Sequence, residues 1–182
     1  MACNLTRGRK EPCKDVVGGI KGVYFFDFGS ITAGFDGVDT DVIDDLGAVT
    51  CFNYEVKGNS SFEQAITSSR ENGTTFFEQT LNLTLKKLTV QDHKELKLLS
   101  YGRPHVVIED YNGNAFMMGL EHGADVSGGT IVTGSSMSDL SGYTLTLTAN
   151  ELKPANFLEG ATSANPFAGL SNTVTVTEGT NS

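Results

Sequence analysis

Ser61 to Lys87 reads SFEQAITSSRENGTTFFEQTLNLTLKK, and this stretch decides the fold class. Glu71-Asn72-Gly73 at its centre is a turn, because an Asn-Gly pair tolerates the positive backbone angles of tight hairpins. On the far side Phe77, Gln79, Leu81, Leu83 and Leu85 alternate with Glu78, Thr80, Asn82, Thr84 and Lys86. A period of two places one set on each face of a strand, one mostly apolar and one polar. Thr74 to Lys87 would span about 45 Å at the usual rise, longer than a small domain's core requires. A long hairpin with one wet face points to a barrel wall or to a sheet shared between chains.

Working outward, Gly22 to Phe28 (GVYFFDF) is apolar on both faces and reads as a strand between two layers. An acidic loop follows from Asp36 to Asp45, then a strand around Ala48 to Lys57. Thr89 opens the one convincing helix, with Asp92 three positions on. Gly102 and Pro104 stop it after about Leu99. Val90, Leu96 and Leu99 are expected to face inward. A second hairpin pairs His105–Asp110 with Ala115–Leu120 about Asn112-Gly113. A third pairs Thr130–Ser136 with Tyr143–Ala149. The expected organisation is an arm at residues 1–15, a β-sandwich or barrel domain at 16–152, and an extended tail at 153–182 with a strand-like Thr173–Thr177.

The chain has 182 residues, 21 glycines and only 4 prolines, as an all-β protein rich in turns would. Thirteen basic and 22 acidic residues give a formal charge of -9, which disfavours sequence-reading nucleic-acid binding. Cys3, Cys13 and Cys51 form neither a disulfide framework nor a zinc knuckle. No window is apolar enough to span a bilayer, and the N-terminal residues lack a secretory signal. Synthesis in a reducing cytoplasm is the natural expectation.

Little in the sequence carries chemistry. The loop DGVDTDVIDD lacks the glycine and glutamate of a calcium-binding EF-hand at the required positions. His93, His105 and His122 show no metal-ligand spacing. There is no nucleophile elbow or phosphate loop. The expectation is a non-enzyme with no metal and no cofactor.

One stretch goes beyond composition. From Met118 the chain reads MGLEHGADVSGGTIVTGSSMSDLSGYTLTLTANELKPANFL. Through Gly128, Gly129, Thr130, Thr133, Gly134, Asp139, Gly142 and Tyr143 it resembles the tail tube proteins of tailed bacteriophages, including crAss-like phages of Bacteroidetes. The likeness covers about residues 15–158, more in element order than in identity.

The resemblance implies a tail-tube-like β-sandwich or barrel flanked by one α-helix and bearing a long β-hairpin. Copies, expected as homohexamer rings, would stack into a channel through which DNA passes without specific binding. Other partners would be the tape measure, connector and baseplate proteins of the virion tail, with no membrane involved. Glu63, Glu71 and Glu78 become candidates for the lumen. Phe62, Ile66, Phe77, Leu81, Leu83 and Leu85 become candidates for hairpin contacts between subunits. A head-tail connector, tail terminator or head fibre, or a β-sandwich that binds a ligand, are the competing readings.

Overall fold

The computed structural model describes Leu5 and residues 7–179. Cys3, the first residues of the expected arm and the last three of the expected tail lie outside them. The fold is mostly β, with two sheets and one helix. In chain order the elements are β1 (Ile20–Phe26), β2 (Gly34–Phe35), β3 (Val42–Asp45), β4 (Thr50–Glu55), β5 (Ser61–Ser69) and β6 (Thr74–Lys86). Then come α1 (Val90–Tyr101), β7 (His105–Asp110), β8 (Ala115–Met118), β9 (Asp125–Val132), β10 (Gly142–Glu151), β11 (Asn156–Leu158) and β12 (Thr175–Thr177).

The larger sheet has eight strands in the order β12-β4-β1-β7-β8-β11-β3-β2. Its centre, β1, is buried on both faces, as its apolar run requires. Phe25, Val106, Ile108 and Met118 point into one core, where they meet Leu81, Leu83 and Leu147 of the smaller sheet. Tyr24, Phe26, Val107 and Met117 point into a second core on the other side.

That second core is closed by the C-terminal segment, which was expected to be an extended tail. Phe167 packs edge-on against Tyr24 at 5.1 Å and Phe26 at 6.1 Å between ring centroids. Leu158 is buried beside it. β11 joins the sheet between β8 and β3, and β12 pairs in parallel with β4. Through residue 179, then, the segment is a layer of the fold. Its Pro-, Gly- and Asn-rich composition concealed single apolar anchors spaced without a period.

The smaller sheet is an antiparallel meander in the order β5-β6-β10-β9. β5 and β6 form the long hairpin, from Ser61↔Asn82 to Ser69↔Thr74, with Gly73 at φ 63° in the turn. β6 ends one residue early because Lys87 takes φ 69°. The β9–β10 hairpin begins earlier than expected, at Asp125, and its loop opens at Thr133.

Thr89 caps α1, its hydroxyl accepting from Asp92 N at 3.0 Å. Leu96 is buried and Leu99 packs on the first core. Val90, expected inward, is 91% exposed. Six residues before Leu96, it lies about 120° away around the helix at 3.6 residues per turn.

One buried charge is fully answered. Glu109, 2% exposed, takes Lys21 Nζ at 2.7 Å and the Tyr24 hydroxyl at 3.1 Å. Lys21 also donates to Ser163 O, tying the C-terminal layer to β1. Burial first, then the Glu109 charge, pushes the Tyr24 phenol well above its ordinary value.

Candidate assembly surface

Period two divides the four-stranded sheet cleanly. On the core side, register aligns Leu81 with Phe62 and Leu147, and Leu83 with Leu145. On the outer side stand Ser61, Glu63 and Thr67 of β5, then Glu78, Thr80, Asn82, Thr84 and Lys86 of β6. Thr144, Thr146, Thr148 and Asn150 of β10 and Asp125 and Thr130 of β9 complete that face. It is built mainly of hydroxyls with a few carboxylates, Ala65 and the half-buried Phe76 being apolar exceptions towards the hairpin turn. Its polar groups pair laterally: Thr130 with Thr144, and Thr146 with Asn82 at 2.9 Å. Such cross-strand pairs hold the face flat and wet without an apolar cover.

Each sequence-predicted residue can now be placed. Glu63 and Glu78 lie exposed on the outer face, in adjacent rows of the β5–β6 ladder, and Glu71 sits in the hairpin turn. The hairpin candidates separate. Leu81 and Leu83 are buried in the chain's own core, so they are corrected here: they cannot also meet another subunit. Phe62 and Leu85 pack partly against the same core, and Phe77 is half-buried. Ile66 alone is left largely open, because β5 runs past the region that the larger sheet covers.

The glycine motif is structural. Gly128 and Gly129 lie in β9, where pairing with β10 shifts at a bulge beside Thr146/Leu147. A Cβ at Gly142 would run into Leu85 O, so β10 can start there only with glycine. Gly134 has φ 74°, which a loop stapled by Asp139 requires. The Asp139 carboxylate accepts from Ser136 N at 2.8 Å and from Ser135 N and Oγ at 2.9 Å each. Hydrogen bonding from Ser136 foremost, and from Ser135, holds its carboxyl well below the usual range. Tyr143 is buried and donates its hydroxyl to Thr89 O at 3.2 Å.

Two edges bound this sheet, lightly defended by one carboxylate each (Glu63 and Asp125) and by the bulge in β9. β5 (SFEQAITSS) and β9 (DVSGGTIV) contain no lysine or proline, the residues that discourage edge-to-edge pairing. Beside β5 opens a cleft of about 390 Å³, lined by Val17, Ile20, Phe62, Gln64, Ile108 and Phe116 among others.

Elsewhere the polar clusters have internal work. His105 is buried between Gly119 O, which its Nδ1–H meets at 2.6 Å, and Gly29 N, which donates to Nε2 at 3.1 Å. The structure also gathers Glu121, His122 and Glu151, a trio that sequence spacing missed because Glu151 arrives from β10. The buried Glu151 carboxylate caps that turn, taking the Glu121 and His122 amides at 3.1 and 2.9 Å and His122 Nδ1 at 3.0 Å. In the acidic loop, Asp36 and Asp39 accept from Val38 N and Asp41 N.

No protein-family model, curated protein or solved structure matches the chain. No helix among the described residues is long and apolar enough to cross a membrane.

Proposed function

We propose that this chain is a structural subunit that closes into rings through its four-stranded sheet, and that the rings stack into the DNA-conducting tail tube of a bacteriophage. The observation that carries the reading is one sheet with two edges free of lysine and proline and a mostly polar outer face. In the order β5-β6-β10-β9 every neighbour is antiparallel, so β5 and β9 run in opposite directions. Rotation of one copy onto the next therefore sets β9 antiparallel to the neighbour's β5, and the meander continues without a break. Such a head-to-tail contact uses different patches on its two sides, and it closes when the rotation divides a full turn.

Geometry suits a channel. Six copies of four strands make a barrel of 24. At about 4.8 Å between strands and a tilt of about 40°, its backbone diameter is roughly 50 Å. Side chains lining it still leave a bore that admits a DNA duplex. The lining would be threonine, serine and asparagine with Glu63 and Glu78, groups that stay hydrated and repel phosphate. Electron microscopy of negatively stained protein at rising concentration tests the reading. Hollow rings or tubes are expected; a monomer at every concentration, in parallel sedimentation runs, overturns it.

A further inference from the structure

Ile66 and Ile131 are 69% and 58% exposed, yet both lie on the side of the four-stranded sheet that elsewhere faces the core. Ile66 stands opposite Phe77 on β5, and Ile131 stands opposite the buried Tyr143 on β9. They mark the two edges of the sheet, where the chain's own core runs out. A β-branched side chain on the dry side of an edge strand loses the burial that would favour it there.

The edges also match each other. β5 has nine residues and β9 has eight. Laid antiparallel over their full lengths, Ser61 comes opposite Val132 and the core-side residues fall together: Phe62 with Ile131, Gln64 with Gly129, Ile66 with Val126. The bulge in β9 is what brings Val126 to that side. Gly129 has no room for a Cβ, which would strike Thr144 O at 2.5 Å, so nothing there obstructs Gln64. At the far end the same count, carried past the bulge, sets Thr67 opposite Asp125, both on the outer face. Length and face agree on one alignment.

We infer that the cleft beside Phe62 is the receptacle for Ile131 of a second copy. This rests on the ring reading above and names its contact. The cleft, at about 390 Å³ and floored by Ile108 and Phe116, has room for the incoming side chain. In the ring each seam would extend the core of one copy beneath the edge of the next, while hydroxyls stay on the outer face. The occupant is therefore a second copy of this chain rather than a small ligand.

The test uses the full chain. Ile131→Lys should melt as the wild type does, because the side chain is exposed in the single chain, while raising the concentration needed for assembly at least about tenfold. In a Cys3→Ser/Cys13→Ser background, the pair Glu63→Cys/Thr130→Cys should cross-link between copies on oxidation and give a ladder ending at the ring. If wild type assembles but Ile131→Lys assembles at the same concentration, or if the cysteine pair stays uncrosslinked in assembled protein, the seam is wrong and the ring reading survives. If wild type never assembles, both fall. Should Ile131→Lys unfold, the milder Ile131→Thr takes its place. It too should raise the concentration needed for assembly, and assembly at the wild-type concentration overturns the seam.

Discussion

The two sheets differ in composition and answer to different demands: the inner strands of the larger are aromatic and aliphatic, the strands of the smaller rich in threonine, serine and glycine. The larger is covered on both sides: the smaller sheet packs on one face, the C-terminal segment on the other, and its strand β1 is buried except at Lys21. The smaller is half open. It gives one face to the core and leaves the other face and both edges to solvent. Folding free energy is therefore concentrated in the first sheet and the inner rows of the second. What remains on the outer rows and edges is available for assembly, because changing it costs the single chain little.

The sharpest way to break this contrast is to attack the C-terminal layer. Phe167→Ala should destabilise the chain by about 3–5 kcal/mol, the usual cost of emptying a buried phenylalanine site, read by urea unfolding of the monomer. A loss below about 1 kcal/mol would mean that the second core does not depend on that layer. Next in size is a comparison within one hairpin. Leu81→Ala should cost about 2–5 kcal/mol, whereas Ile66→Ser should cost less than about 0.5 kcal/mol and act on assembly instead. Equal effects on folding would erase the distinction between covered and uncovered residues. Deletion of Phe62–Leu85 cannot make this separation, because it removes Leu81 and Leu83 from the core.

Smaller still is the cost of Lys21→Met, about 1–3 kcal/mol. It leaves Glu109 buried without its cation, discounted because the lysine is itself part-exposed. Acid titration probes the loops that frame both sheets. Hydrogen bonds lower the carboxyls of Asp45 (Gly47 N foremost) and Asp139. For Asp110, burial pulls upward but is outweighed by hydrogen bonds from Asn114 and Asn112. Groups with lowered values stabilise the fold above their unfolded value, about 3.9, and lose that contribution as pH falls towards the folded value. The melting temperature should hold from pH 7 to 5 and fall below about pH 4, with Asp139→Asn reducing the drop. The smallest effect belongs to Glu63→Lys/Glu78→Lys, expected to leave stability within about 0.5 kcal/mol while making assembled tubes retain DNA. Tubes that stay inert to DNA would place these carboxylates away from the bore.

How much was legible follows from what each signal measures. The Asn72-Gly73 turn, the alternation in β6 and the Thr89 cap are local, and they appear where the residues put them. Val90 was misread because one apolar residue at a helix start does not establish a face. β2 and β3 went unseen, since strands of two and four residues are too short for periodicity. Glu151 and Ile131 were invisible as site residues. One acts through a turn about 30 residues away, and the other matters only because nothing of its own chain covers it.

Sequence alone determined the β class, the long hairpin and the division of β6 into a dry and a wet face, because side chains in a strand must alternate. Only the tertiary structure decided that the segment after Lys153 is a layer of the fold, that Leu81 and Leu83 are spent on the chain's own core, and that Ile66 and Ile131 are not. Alternation assigns a residue to a face; what lies against that face depends on distant segments, and so do the edges where the core stops.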